Sequence, residues 1–178
     1  VISLLLVHRL IGNLTQWQLL LVPIVGSIAV SLLLYPFAPE ASGEGIPSYI
    51  AGLNRRHAVY SLKTTLIKLA ATQAAFLSLA SGGVLGPIGR VSSGISSFLA
   101  AKLKPLGLTN FDRRTSAICG MAAVTGAIFH SSLGAGIFAV EIIQKSEMRY
   151  RDLFPSILAS ALAAQFSRLL GWDAVISI

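Results

Sequence analysis

Three stretches of the chain, residues 17–37, 69–89 and 115–140, carry no Asp, Glu, Lys or Arg. Each is long enough to cross about 30 Å of hydrocarbon as a helix, and the last leaves room for a break. Such stretches must lie in a protein core or in lipid, and charge decides between the two. Only 12% of the residues are charged, against roughly a quarter in soluble domains, which is too few to cover a water-facing surface. The expected fold is all-α: a polytopic membrane protein whose helices satisfy their own backbone groups. Residues 153–167 form a shorter apolar stretch that reads as a tilted or partly re-entrant helix.

The net charge of +7 is spread over short clusters between the apolar runs: Arg55-Arg56, Lys102 with Lys104, Arg113-Arg114, and Lys145 with Arg149 and Arg151. This is the pattern of connecting loops near anionic headgroups. No basic face with interleaved aromatics occurs, so a nucleic-acid partner is not expected. Cys119, the one cysteine, sits in an apolar run and reads as a small buried residue. No paired carboxylates, nucleophile–base set or metal-ligand spacing is present, so neither an enzyme nor a cofactor is expected. The chain opens on Val1, not Met, and reads as a piece of a longer protein.

Two segments fit no simple spanning helix. The first runs from Pro36 through Gly43-Glu44-Gly45-Ile46-Pro47, where Pro47 in a first turn after glycines marks a helix start following a sharp break. The second is Ser81-Gly82-Gly83-Val84-Leu85-Gly86-Pro87-Ile88-Gly89, which predicts unwound backbone and a new helix near Pro87. Irregular backbone at membrane depth must be covered by protein or line a cavity. Helix N-termini opening onto such a cavity attract anions through unpaired N–H groups and the positive dipole end. The alternative is that the glycines serve only close helix packing. Small residues at 70, 71, 74, 75, 80, 122, 123, 126 and 127 suit tight helix contacts of that kind.

These segments resemble the CLC chloride channel and transporter family. Gly43-Glu44-Gly45-Ile46-Pro47, with Ile50-Ala51-Gly52-Leu53-Asn54 after it, is similar to the family's Gly-Ser-Gly-Ile-Pro motif and following helix. The 81–95 stretch is similar to its Gly-Arg-Glu-Gly-Pro segment. Residues 112–141, with Phe129-His130-Ser131-Ser132-Leu133 and Gly136-Ile137-Phe138-Ala139-Val140-Glu141, resemble its Phe-Asn-Ala-Pro-Leu stretch, and 154–168 fit the next helix. The order matches the first half of the family's inverted repeat, with residues 1–178 forming a single transmembrane domain cut from a longer chain at both ends. The resemblance implies a multi-pass protein of a prokaryotic plasma membrane, broken and re-entrant helices, a homodimer, a second repeat half elsewhere in the natural chain, and chloride or a similar small anion as the transported species. The anion-binding segments it implies are Gly43, Glu44, Gly45, Ile46 and Pro47 on one side and Gly86, Pro87, Ile88 and Gly89 on the other.

The departures fall on those segments. Glu44 stands where the family has a serine that donates to the anion. A carboxylate there is either neutral when anion is bound, a tethered anion filling the site, or a cap on the next helix. Ile88 takes the place of the family's gating glutamate. Ile142 takes the place of the inner glutamate that antiporters use for protons. Arg90 either adds positive potential near the pathway or serves as an interface anchor or ion-pair partner. His130, where the family commonly has asparagine, reads as a hydrogen-bonded core residue. The expected function is passive, channel-type chloride conduction. A non-transporting structural or regulatory remnant and a chloride/proton antiporter are the alternatives.

Overall fold

The structure is a computed structural model, and it describes residues 16–39, 42–43, 45–55, 60–78, 83–104, 112–143 and 150–172. Among these residues it consists of seven α-helices and no strands: α1 Gln16–Phe37, α2 Ile46–Arg55, α3 Leu62–Leu77, α4 Leu85–Leu103, α5 Arg113–Phe129, α6 Ser132–Glu141 and α7 Tyr150–Leu169. The all-α expectation holds.

The uncharged stretches map unequally onto these helices. Residues 17–37 coincide with α1. Residues 69–89 do not form one helix: α3 stops at Leu77 and α4 starts at Leu85. Residues 115–140 are divided at His130, which caps α5 with left-handed backbone at φ 52°. The 153–167 stretch lies within one helix, α7. Among the described residues, no helix is long and apolar enough to cross a membrane.

The core gathers around α5. Tyr49 and Leu53 of α2 meet Ala117, Ile118, Met121 and Ala122 of α5 and Ala139 and Val140 of α6. Small residues permit this density. A β-carbon on Gly120 would overlap Ser96 and the Ser92 carbonyl of α4, one on Gly126 the Ser160 backbone of α7, and one on Gly136 the Ile157 backbone of α7. Close approach lets hydroxyls donate to neighbouring helices' carbonyls: Ser92 Oγ to Gly120 O at 2.7 Å, Ser156 Oγ to Gly136 O at 3.1 Å and Ser160 Oγ to Ser132 O at 2.6 Å. Thr115 Oγ1 donates to the buried Asp152 carboxylate at 2.7 Å. His130 Nε2 lies 3.2 Å from Ser167 Oγ, the hydrogen-bonded setting its sequence context suggested.

The opposite side is looser. α1 packs mainly on α3, where Gly26 leaves room for Ser78. Its large apolar side chains, Trp17, Leu21, Ile24, Val25, Ile28 and Leu32 among them, remain exposed.

Candidate functional site

Two helices begin against each other. The chain before α2 takes left-handed backbone at Gly43 (φ 86°) and Gly45 (φ 102°), conformations that a side chain penalises. A β-carbon on Gly45 would overlap the carbonyl of Gly86 and the nitrogen of Pro87. The start of α2 therefore rests directly on the first turn of α4, and the two N-terminal ends that the sequence placed apart meet in space.

The first turn of a helix has N–H groups with no intrahelical acceptor. Tyr49 N–H already bonds the Gly45 carbonyl at 2.8 Å, and Ile88 N–H bonds the Val84 carbonyl at 3.4 Å. Pro47 and Pro87 have no N–H at all. The other first-turn residues that carry an N–H are Ile46 and Ser48 on α2 and Leu85 and Gly86 on α4. Among the other residues expected at the site, Gly45 and Gly86 are buried, Ile46, Pro87 and Ile88 are half-buried, and Gly43 and Pro47 are exposed. Gly89 faces Met121 of α5, with no room for a β-carbon, so it serves packing between α4 and α5. Glu44, Ser81, Gly82 and His57 lie outside the described residues.

A cavity of about 230 Å³ opens beside this junction. Gly43 and Gly83 line it from the irregular segments, Pro87 from the first turn of α4, Lys68 and Thr72 from α3, and Val30 and Leu34 from α1. Lys68 is only 6% exposed, and its Nζ donates to the Gly43 carbonyl oxygen. A lysine buried among apolar neighbours is costly unless its charge finds a partner. Here it supplies a partner to a carbonyl that no helix ladder satisfies.

A second cation lies nearby. The Arg90 guanidinium stacks 3.9 Å from the Tyr60 ring centroid, a cation–π contact. Tyr60 Oη donates to the Tyr49 carbonyl at 3.0 Å, and Tyr49 Oη to the Ala139 carbonyl at 3.2 Å. Arg114 Nη1 donates to the Leu53 carbonyl at 3.3 Å. One set of contacts therefore ties α2 to α4, α5 and α6. Two helix N-termini and two basic side chains, Lys68 and Arg90, thus lie in one largely apolar region.

Sequence reasoning missed Lys68, because the uncharged stretch was taken to begin one residue later. A lone lysine amid Leu66, Ile67, Leu69 and Ala70 is a sufficient signal, since an ionisable residue in an apolar helix suggests function by default. Cys119 is half-buried and lines a separate, mostly apolar groove of about 410 Å³ between α4, α5 and α7.

Known proteins share this pattern. Residues 26–178 match the family model described as voltage gated chloride channel. The chain is similar to chloride channel protein CLC-b of Arabidopsis thaliana, with 28% identity over 156 residues covering 79% of this chain and 20% of that protein. Chloride channel protein CLC-a of the same plant is also 28% identical, over 155 residues, covering 78% and 20%. An uncharacterized protein of Methanocaldococcus jannaschii is 32% identical over 145 residues, covering 82% and 35%. The chain thus spans between a fifth and about a third of the length of these relatives. With a match over most of its length and an all-helical fold, the chain belongs to the voltage-gated chloride channel family.

Proposed function

We propose that the full protein, embedded in a lipid bilayer, conducts chloride or a similarly small anion passively, past a site built from the N-terminal ends of α2 and α4. The observation that carries this reading is the contact of Gly45 with Gly86 and Pro87. It sets two dipole ends, each worth about half a positive charge, beside one cavity. Backbone N–H groups act as the ligands, so the chemistry persists although Glu44 replaces the family's serine and Ile88 its glutamate. Lys68 and Arg90 support the reading by adding positive charge in the apolar interior.

Passive conduction is favoured over antiport because Ile88 and Ile142 occupy the positions where the family's antiporters carry carboxylates, and proton transfer through apolar protein needs titratable groups or ordered water. The exposed apolar side chains of α1 and α7, such as Leu21, Leu32, Phe154, Leu162 and Phe166, support a lipid surrounding. Pairing of two copies, each with its own pathway and a second repeat half, belongs to the same proposal.

The test is chloride efflux from liposomes containing the full-length protein, with and without an imposed proton gradient. Efflux down the chloride gradient, without proton movement against its own gradient, is expected. Uphill proton movement driven by chloride would identify an antiporter instead, and no efflux would identify a non-transporting protein. Glu44→Ser adds a second arm: if the carboxylate fills the site as a tethered anion, the substitution raises efflux.

A further inference from the structure

Lys68 reaches the irregular segment before α2 with its Nζ on the Gly43 carbonyl oxygen, across 25 positions of sequence. Gly43 and Gly45, on either side of residue 44, are both left-handed, so the carbonyl of Gly43 belongs to no helix. Without a donor from elsewhere, that oxygen would present partial negative charge to the cavity it lines together with Lys68, Gly83 and Pro87. An anion would meet repulsion there, and a cation would find a ligand.

Charge alone does not explain a lysine at this position. Arg90 already brings positive charge to the same region, close enough to act electrostatically on Lys68. Arg90 stacks on the Tyr60 ring, and Lys68 adds a hydrogen bond to the Gly43 carbonyl.

We propose that Lys68 is a positioning residue. By holding the Gly43 carbonyl it fixes the turn that leads into α2, and thereby sets which anions the two helix ends accept. The inference rests on the reading that these ends face an anion, but its first test does not need transport.

That test is hydrogen–deuterium exchange of the peptide covering residues 42–49 in the purified full-length protein, for wild type, Lys68→Met and Lys68→Arg. Loss of one charge-assisted hydrogen bond should speed exchange in this peptide by about tenfold in Lys68→Met, while Lys68→Arg, which can still donate to the carbonyl, stays near wild type. Equal exchange in wild type and Lys68→Met overturns the proposal. Should Lys68→Met fail to fold, Lys68→Gln takes its place: it keeps a weaker donor without charge, so exchange between wild type and the roughly tenfold limit supports positioning, and wild-type exchange overturns it. The second readout is the chloride-to-nitrate permeability ratio. Positioning predicts a ratio changed by about threefold or more in Lys68→Met and restored in Lys68→Arg. Lower conductance with an unchanged ratio means that only charge matters, and sinks the inference. A wild-type protein that carries no anion while exchange responds as expected refutes the proposed function and leaves the turn-fixing role standing.

Discussion

Glycine does two different jobs in two regions of this molecule. In the α5–α6–α7 unit, Gly126 and Gly136 lie within regular helices and exist to be small, letting Ser160 and Ile157 backbone approach. At the junction of α2 and α4, Gly43 and Gly45 hold left-handed backbone outside any helix, and Gly45 combines this with direct contact on Gly86. The first region uses small residues to make stability, through close packing and hydroxyl-to-carbonyl bonds between helices. The second spends regular hydrogen bonding to leave helix ends open. Substitutions should therefore separate the two: those in the scaffold change unfolding, and those at the junction change anion handling.

Gly45→Ala is the harshest test. It combines a strained φ with overlap on backbone that cannot move aside, a local cost of about 3 kcal/mol or more. Anion efflux should fall by more than tenfold, roughly, for a site displaced by even an ångström, with hydrogen exchange of α5–α7 peptides unchanged. Exchange that rises throughout α5–α7 would show that the two regions are one cooperative unit. Gly136→Ala should cost about 2 kcal/mol of stability by overpacking, seen as a lower denaturant midpoint, while the anion preference of the folded protein stays the same. A shift in preference would break the division. Ser160→Ala removes one hydroxyl donor to the Ser132 carbonyl, and about 0.6–1 kcal/mol is expected for such a bond between helices. The smallest effect is expected of His130→Asn. Asparagine tolerates the left-handed conformation better than histidine, and the stability should rise by about 0.5 kcal/mol or stay level after loss of the Ser167 contact.

Much of the fold was legible because Gly and Pro punctuate the chain where helices must stop. The segments around 43–47 and 83–87 were both expected as breaks, and α2 and α4 start there. The small residues near 122–127 likewise predicted tight helix contacts, and Ala122 and Gly126 are buried in them. Room for a break within 115–140 was legible but its place at His130 was not, because left-handed backbone is usually marked by glycine or asparagine. The contacts of Lys68 with the Gly43 carbonyl and of Arg90 with the Tyr60 ring were not legible for a shared reason: each joins residues far apart in sequence, and the charge pattern along a chain reveals neither a carbonyl nor a ring as a partner. The meeting of Gly45 with Gly86 is a tertiary fact that two isolated break signals could suggest but not locate.

The mooring of α2 has a mechanical consequence. This ten-residue helix is about 15 Å long; Tyr49 Oη fastens it to the Ala139 carbonyl of α6, and Tyr60 Oη holds the Tyr49 carbonyl. Sliding along its own axis would break both links at once. The movement left to it is a tilt about that anchorage, in which the Gly45 end swings sideways against the first turn of α4 while the end near Arg114 stays put.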